Sequence, residues 1–454
     1  MSTLPRDLGG GLVLRTATLA DVERLVTFTA DVLRFQDSQE PAEIFGRWTQ
    51  DLLGGRHHRV RAQDAVLVED RASGALVAST ILISQTWTYG GVLVSVGQPE
   101  LVGTLAAYRG RGLVRAVFEA IHAEAAARGH QLLAIAGIPV FYRQFGYEPA
   151  LARGGGPWVP LGDLELPAPG TGPFRIRPAR ADDAGFLAAT HTASRARYLV
   201  TAPHDERVWR YDLGERSAGS AQSLAFCVIE TPAARPVGML VHLPVLWNTA
   251  VAVGELEVID GVSWRAVWPD VLAYLRATGE AYAARHARPF GQAASFWFIA
   301  PGHPLERIYK APGTPRPSWW YLRAPDVAAL LTTVRPALER HLADSPLTGH
   351  SGELRLAWDR GGVQLVLEGG RMVKVAPWAP ARDVLGQESG APSKDPRRPS
   401  ALFPGLSVLQ LLFGFRSVEE LEHAFPDCVV RDQEARALLN ALFPRRPSDV
   451  WALV

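Results

Sequence analysis

The chain is poor in the residues that would mark a secreted, metal-binding or nucleic-acid-binding protein. Its 454 residues include only two cysteines, Cys227 and Cys428. That is too few for a disulfide framework or a cysteine zinc site, and it fits a reducing cytoplasm. Lysine occurs only at Lys310, Lys374 and Lys394, and none of the three follows a glycine, which excludes a phosphate-binding Walker loop. The net charge of +1 gives no basis for expecting nucleic acid or acidic lipid as a partner. No apolar run approaches the roughly 20 residues that cross a bilayer, so no membrane is expected. The N-terminal stretch Met1–Gly11 has no apolar signal-peptide core. There is no His-Glu-x-x-His, and His57-His58 lacks a carboxylate at metal spacing, so no metal is expected.

What is present is ordinary globular material, 47% hydrophobic and 20% charged, in a chain too long for a single core. It is organised around Glu100–Tyr147. The apolar pair Leu101-Val102 leads into the turn Tyr108-Arg109-Gly110-Arg111-Gly112. Val114, Val117, Phe118, Ile121 and Ala125 then recur at helical spacing until Arg128-Gly129. A second apolar run, Leu132–Ala136, precedes the aromatics Phe141, Tyr142, Phe145 and Tyr147. Strand, glycine turn, helix and strand follow in the order of a parallel β-α-β unit.

Three blocks surround this stretch. In the first, strands are expected at Leu14–Ala17, Ala65–Glu69 and Leu76–Ser84, a helix at Asp21–Leu33 and a hairpin turn at Gly90-Gly91. Residues 154–173, rich in glycine and proline, read as a linker. The second block restarts the first: Arg15, Ala17, Asp21 and Leu25 align with Arg177, Ala179, Asp183 and Leu187. A repeat at this scale means that one fold is used twice. Its later elements are expected at Leu256–Asp260, Trp268–Arg276 and Phe296–Ala300. The second copy has Asp260–Arg265 where the first has its glycine turn, so chemistry is expected in copy one. The third block starts near Trp319, with a helix at Asp326–Leu342 and strands at Leu354–Trp358, Val363–Leu367 and Met372–Val375. A loop at Pro377–Pro404 and short helices at Leu406–Phe415, Val418–Phe425 and Asp432–Phe443 complete it.

A glycine turn feeding a helix presents free backbone N–H groups and the positive end of the helix dipole. Gly110 and Gly112 allow an anion to approach the backbone, and Arg109, Arg111 and Arg115 add fixed charge. An arginine-glycine loop alone would be ordinary surface. Strand before and helix after turn the reading to a phosphate-bearing cofactor, and Arg115 at the third glycine position excludes the dinucleotide motif. Several other features carry less. His122 reads as a surface residue of the helix, Arg397-Arg398 as solvated, and Trp319-Trp320 as packing at a domain junction. Gly349–Gly352 lacks the last glycine of a nucleophile elbow.

Arg109–Arg115 resembles the pyrophosphate loop of the GNAT superfamily of N-acetyltransferases, and Phe141–Glu148 resembles its aromatic-glycine motif. With the degenerate second copy and the third α/β block, the chain resembles the enhanced intracellular survival family. The resemblance implies tandem GNAT folds, each a mixed central sheet flanked by helices, plus a C-terminal sterol-carrier-like α/β domain. It implies a catalytic domain at 1–153, a degenerate one at 174–322 and the last at 323–454. The implied reaction moves an acetyl group from acetyl-CoA to a primary amine in a small-molecule substrate, in a closed homo-oligomer. Val102, Gly103 and Thr104 would pair with the pantetheine arm, and Gly110, Arg111, Gly112, Leu113, Val114 and Arg115, with Arg109, would hold the pyrophosphate. Gly137 and Ile138 would lie beside the thioester. Tyr142 would be the general acid, and the terminal carboxylate of Val454 would be the base. Glu100, just upstream of the cofactor strand, stands where other GNAT enzymes often place a carboxylate, so the resemblance offers it as another base. Neither cysteine lies in the first block, which favours direct transfer over an acyl-cysteine. The rival reading is a non-catalytic CoA- or lipid-binding regulator.

Overall fold

A computed structural model describes residues 4–34, 42–310, 317–359, 361–380 and 398–450, and counts and absences below refer to these. The first sheet has nine strands. Its strands are β1 (Arg6–Gly9), β2 (Leu12–Thr16), β3 (Ala65–Asp70), β4 (Leu76–Tyr89), β5 (Val92–Thr104), β6 (Leu132–Ala136) and β7 (Glu148–Arg153). Two strands from far along the chain join them. The helices α1 (Val22–Val32), α2 (Glu43–Leu53) and α3 (Leu113–Ala127) cover it. The long β4–β5 hairpin turns at Gly90-Gly91, both at positive φ (52° and 82°), as its tight turn requires. A Cβ on Gly90 would also lie 2.9 Å from the Ala337 Cβ, so the turn is packed as well as bent.

The second sheet orders its strands β8 (Trp158–Pro160), β14 (Ala293–Ser295), β13 (Ala250–Val258), β12 (Pro236–Trp247), β11 (Ala225–Glu230) and β9 (Arg175–Pro178). Three expectations change here. The glycine- and proline-rich stretch at 154–173 contains β8, which pairs with β14. The strand expected at Phe296–Ala300 lies at Ala293–Ser295 instead. The strand expected at Leu256–Asp260 is the end of a nine-residue strand, Ala250–Val258. The chain also returns to the first sheet twice. β10 (Val200–Thr201) pairs with β4, and β15 (Ser318–Arg323) inserts between β6 and β7, antiparallel to both.

The third sheet has five strands, β18 (Arg371–Pro377), β17 (Gly361–Glu368), β16 (Gly352–Trp358), β19 (Ala401–Phe403) and β20 (Val429–Val430), in that order. The helix Val327–Ala343, capped by the Asp326 side chain, packs on this sheet and on the first. β19 falls inside the loop expected at Pro377–Pro404, most of which lies outside the described residues.

The repeat seen in the sequence recurs as one ion-pair pattern used twice. Arg15 forks onto Asp21 (2.7 and 2.8 Å) and donates to Glu69 across the sheet (2.9 Å). Arg177 forks onto Asp183 (2.7 and 2.9 Å) and donates to Glu230 (2.8 Å). In each copy the pair ties the first strand to the helix that follows. The Arg15 guanidinium holds the buried Asp21 carboxyl well below the usual carboxylate range. Its contribution is therefore present above the unfolded value, about pH 4, and is lost as pH falls. Asp21→Asn is expected to lower unfolding free energy by about 2 kcal/mol, the scale of hydrogen bonds to charged groups. Urea titrations should also show a shallower loss of stability between pH 5 and 2 in this variant than in the parent.

Candidate active site

β5 and β6 are parallel neighbours joined only at Val96–Leu132 and Gly97–Leu133. Beyond those pairs they diverge. The cause lies in β5, where the register against β4 shifts opposite Thr80 and Leu101 adopts a positive φ of 53°. Leu101 is buried against the core under α1, which holds the bulge in place. The Thr80 hydroxyl fills the gap by donating to the Glu100 carbonyl (2.9 Å). The last residues of β5 therefore keep β4 on one side and face an open wedge on the other.

A cavity of about 660 Å³ occupies this wedge. Its floor is Val102, Gly103 and Thr104 of β5, and one wall is the turn Arg109, Gly110, Gly112 with Leu113, Val114 and Arg115 at the start of α3. Ile138, Phe141 and Tyr142 form the other wall. Gly110 and Gly112 both have φ of 77°, the left-handed region that favours glycine. The first intrahelical bond runs from Ala116 to the Gly112 carbonyl (3.1 Å), so the N–H groups of Leu113, Val114 and Arg115 have no helical acceptor. The turn is braced from below, where the Tyr108 hydroxyl donates to Asp70 (2.6 Å) and the Arg111 guanidinium lies 4.7 Å from the Tyr108 ring centre. Arg115 reaches across the mouth to Gln144 (3.4 Å) and over the Phe145 ring.

Tyr142 sits on a five-residue turn of 3-10 helix, Phe141–Phe145, between β6 and β7. Its ring is buried among Phe118, Phe141, Tyr147 and Tyr321. Gly137 makes room for it: a Cβ there would lie 2.0 Å from the ring. Val140, just before the turn, is held at φ 70°, a strained conformation for a β-branched residue, with its N–H on the Tyr321 hydroxyl (3.3 Å). Burial and then the Glu100 charge push the Tyr142 hydroxyl well above the usual phenol range, so it stays protonated at neutral pH. Glu100 is half-buried and accepts from Gln98 Nε2 (2.7 Å). Burial raises its carboxyl to about 7, against the opposing pull of Gln98 and of Arg153. It is therefore poised to change charge near neutrality.

Most of the expected cofactor residues thus share one cavity. Arg111 and Gly137 are off its lining, one stacked on Tyr108 and the other beneath Tyr142. Glu100 is also off the lining, one residue before the bulge, while Val454 lies outside the described residues. Val32, Leu33 and Gln144 line the cavity but did not stand out in the sequence, and Tyr108, read only as the start of the glycine turn, lines it as well. Val32 was visible only as the apolar face of α1. Nothing local distinguishes a residue facing the wedge from one facing the core.

Other features resolve as packing. His122 is partly buried and shares a hydrogen bond with the Tyr147 hydroxyl (3.0 Å), where a surface position was expected. Both cysteines are buried and free, and no group of metal-ligating residues occurs among the described residues. No helix there is long and apolar enough to cross a membrane. In the second sheet, β13 stands where β5 does, but Glu255 and Glu257 on it are taken by Arg195, Arg197 and His191. The helix that follows is capped by the Ser263 side chain, which accepts from Ala266 N–H. In copy two, that cap and the hydrogen bond from His303 Nε2 to the Leu256 carbonyl (2.9 Å) take up groups at the equivalent position.

Residues 13–150 match the acetyltransferase (GNAT) domain family. No curated protein sequence matches the chain. Solved structures match almost end to end. A probable N-acyltransferase from Enterococcus faecalis is 14% identical, with 96% of this chain and 97% of that one covered, at TM-score 0.63. A GCN5-related N-acetyltransferase from Anabaena variabilis is 12% identical, with coverage of 97% and 98%, at TM-score 0.61. Eis1 from Mycobacterium abscessus is 15% identical, with coverage of 97% and 99%, at TM-score 0.58. The wedge, the glycine turn and the aromatic turn all lie within residues 13–150, the stretch that matches the acetyltransferase (GNAT) domain family, in a three-sheet α/β chain that shares its fold with these solved structures.

Proposed function

We propose that this protein moves an acetyl group from acetyl-CoA to a primary amine of a small molecule by direct attack in a ternary complex. The observation that carries this reading is the wedge between β5 and β6, which opens on a glycine turn at one end and on Glu100 and Tyr142 at the other. Diverging strands leave backbone groups of Val102–Thr104 for the amides of a pantetheine arm. The free N–H groups and arginines at the start of α3 suit a pyrophosphate. On this reading residues 1–153 are the catalytic domain, 154–173 a linker that also lends β8 to the second sheet, 174–322 a degenerate copy whose last residues join the first sheet as part of β15, and 323–454 a sterol-carrier-like domain. Arg111 would act from the rim of the cofactor site and Gly137 by seating Tyr142. A cytoplasmic homo-oligomer is part of the same proposal.

The chemistry needs three proton movements. Glu100 accepts a proton from the ammonium, and the freed amine nitrogen bonds to the thioester carbonyl carbon as the C–S bond breaks. Tyr142 gives its proton to the departing sulfur, whose thiol has a pKa of about 8.5. Because burial holds the Tyr142 proton more tightly than that, the transfer is coupled to C–S cleavage. The acylated nitrogen then returns a proton to the Tyr142 oxygen, leaving the neutral amide, the free thiol and a protonated Glu100 that releases its proton to water. A second base reading has one observation in its favour. Val450, the last described residue, accepts from Trp320 Nε1 (3.0 Å) of the first sheet, the sheet that also holds the wedge, and on this reading the Val454 carboxylate would serve.

Three outcomes are expected. First, kcat/KM rises through pH 7 in the parent, since the base must be ionised. Glu100→Gln loses that limb and about 100-fold in rate, the usual worth of a general base, while adding a residue beyond Val454 changes neither. The opposite pattern, read from pH profiles with a panel of amines, assigns the base to Val454. Second, Tyr142→Phe lowers kcat about 100-fold with little change in CoA affinity, checked by stopped turnover and calorimetry. Third, Gly112→Ala forces a side chain into the left-handed region at a cost of about 1–2 kcal/mol and should weaken CoA binding roughly 10-fold in the same calorimetric titration. CoA binding with no turnover on any amine would instead support a binding-only regulator.

A further inference from the structure

The β4–β5 hairpin carries a polar line on an otherwise apolar face. Ile81, Ile83, Gln85 and Trp87 alternate along β4, and Val94, Val96, Gln98 and Glu100 face them on β5. The isoleucines, valines and tryptophan belong to the cores on either side of this line. Gln85 and Gln98 are buried, Gln98 completely. Burying two amides costs free energy unless every polar atom is matched, and aliphatic side chains would fill this face more simply. Here the polar atoms are matched in series. Trp87 Nε1 donates to Gln85 Oε1 (3.0 Å), Gln85 Nε2 donates to Gln98 Oε1, and Gln98 Nε2 donates to Glu100 Oε1 (2.7 Å).

The direction of this series is set at both ends. An indole N–H can only donate, so Gln85 must turn its oxygen to Trp87 and its NH2 to Gln98. Gln98 must then turn its NH2 to Glu100, and an ionised carboxylate can only accept. All three bonds therefore point one way, each polarising the next. Trp87 is held in place in turn, edge-on to Trp320 at 5.6 Å.

From this we infer that Trp87, Gln85 and Gln98 act as a one-way hydrogen-bond chain that positions the Glu100 carboxylate and favours its ionised form. The inference rests on the reading of Glu100 as the base. Gln98 touches the carboxylate and is its direct positioning residue. Gln85 and Trp87 act only through it, from the far side of the hairpin. Besides the Leu101 backbone N–H, the charged and titratable groups acting on Glu100 are Arg153 of β7, which favours its charge, and Tyr142, whose hydroxyl its charge disfavours ionising. Neither belongs to the chain, so both remain unchanged in its variants.

A donor to a carboxylate stabilises the charged form, so removing it raises the pKa, and a base with a higher pKa needs a higher pH. The test is the acid limb of kcat/KM in the full-length protein, with melting temperature recorded for each variant. Gln98→Met should move the limb up by about one pH unit. Gln85→Met and Trp87→Phe should move it in the same direction by a smaller step, about half a unit, with the rate at pH 9 kept within about threefold. Trp87→Phe keeps an aromatic ring beside Trp320 but deletes the indole N–H together with part of the bicycle, so its melting temperature is the control for lost packing. Folded Gln85→Met and Trp87→Phe proteins whose limb stays at the parent pH would overturn the chain, even if both were less stable. Glu100→Gln separates the two ideas. If the limb survives in Glu100→Gln, the base reading fails. If it vanishes there but stays fixed in the three chain variants, only the chain fails.

Discussion

Backbone polar groups between β6 and β7 must be paired, and the chain pairs them with a strand that arrives from the far side of the second sheet. Trp320 and Leu322 of β15 lie opposite Ala136 and Ala134 on one side and Leu151 and Glu148 on the other. Buried N–H and C=O groups left open on two strands would cost several kcal/mol, so this insertion is obligatory once β6 and β7 stand apart. It closes the first sheet with residues that follow the entire degenerate copy. It also delivers Tyr321 to the back of Tyr142 and Trp320 to the edge of Trp87. The catalytic candidates are therefore supported by a segment outside the domain that carries them.

A second constraint, the bulge at Leu101, produces the opposite result two strands away. There a register shift and a positive φ separate β5 from β6, and no strand fills the gap. One sheet thus holds two separations, one closed by protein and the other left as the cavity. Glu100 sits at the bulge, between a buried amide and a distant guanidinium, and burial raises it to near neutrality. Tyr142 is raised by the same desolvation, but for a phenol that preserves the proton. The pair is suited to opposite halves of an acyl transfer because one environment acts on two different acids.

The two copies of the fold show what an active site requires beyond the fold itself. Both keep the arginine fork onto aspartate that joins their first strand to their first helix. The first has glycines at 110 and 112, both at positive φ, leading into the free helix amides beside its open strand edge. In the other, Ser263 caps the helix and a buried cluster around Arg195 consumes Glu255, Glu257 and Asp449. Asp449 also ties the end of the described chain to the second sheet, and Val450 ties it to Trp320 in the first. The second copy thus holds a segment of chain that also packs against the first.

Residue order alone carried the local features: the glycine turn, the helix after it, the aromatic turn, the hairpin glycines and the repeat of Arg15 and Asp21 in Arg177 and Asp183. Each depends on side-chain period, positive φ or short-range pairing, which neighbours in sequence settle. It also marked Tyr142 and Glu100 as candidates, but not why Glu100 would titrate near neutrality, since desolvation depends on everything packed around it. The strand hidden at 158–160, the shift of β14 to Ala293–Ser295, the insertion of Ser318–Arg323 into the first sheet and the series from Trp87 to Glu100 came only with the tertiary structure. Those features arise from contacts between residues far apart along the chain, and a sequence read in order has no local signal for which distant strand will satisfy an open edge.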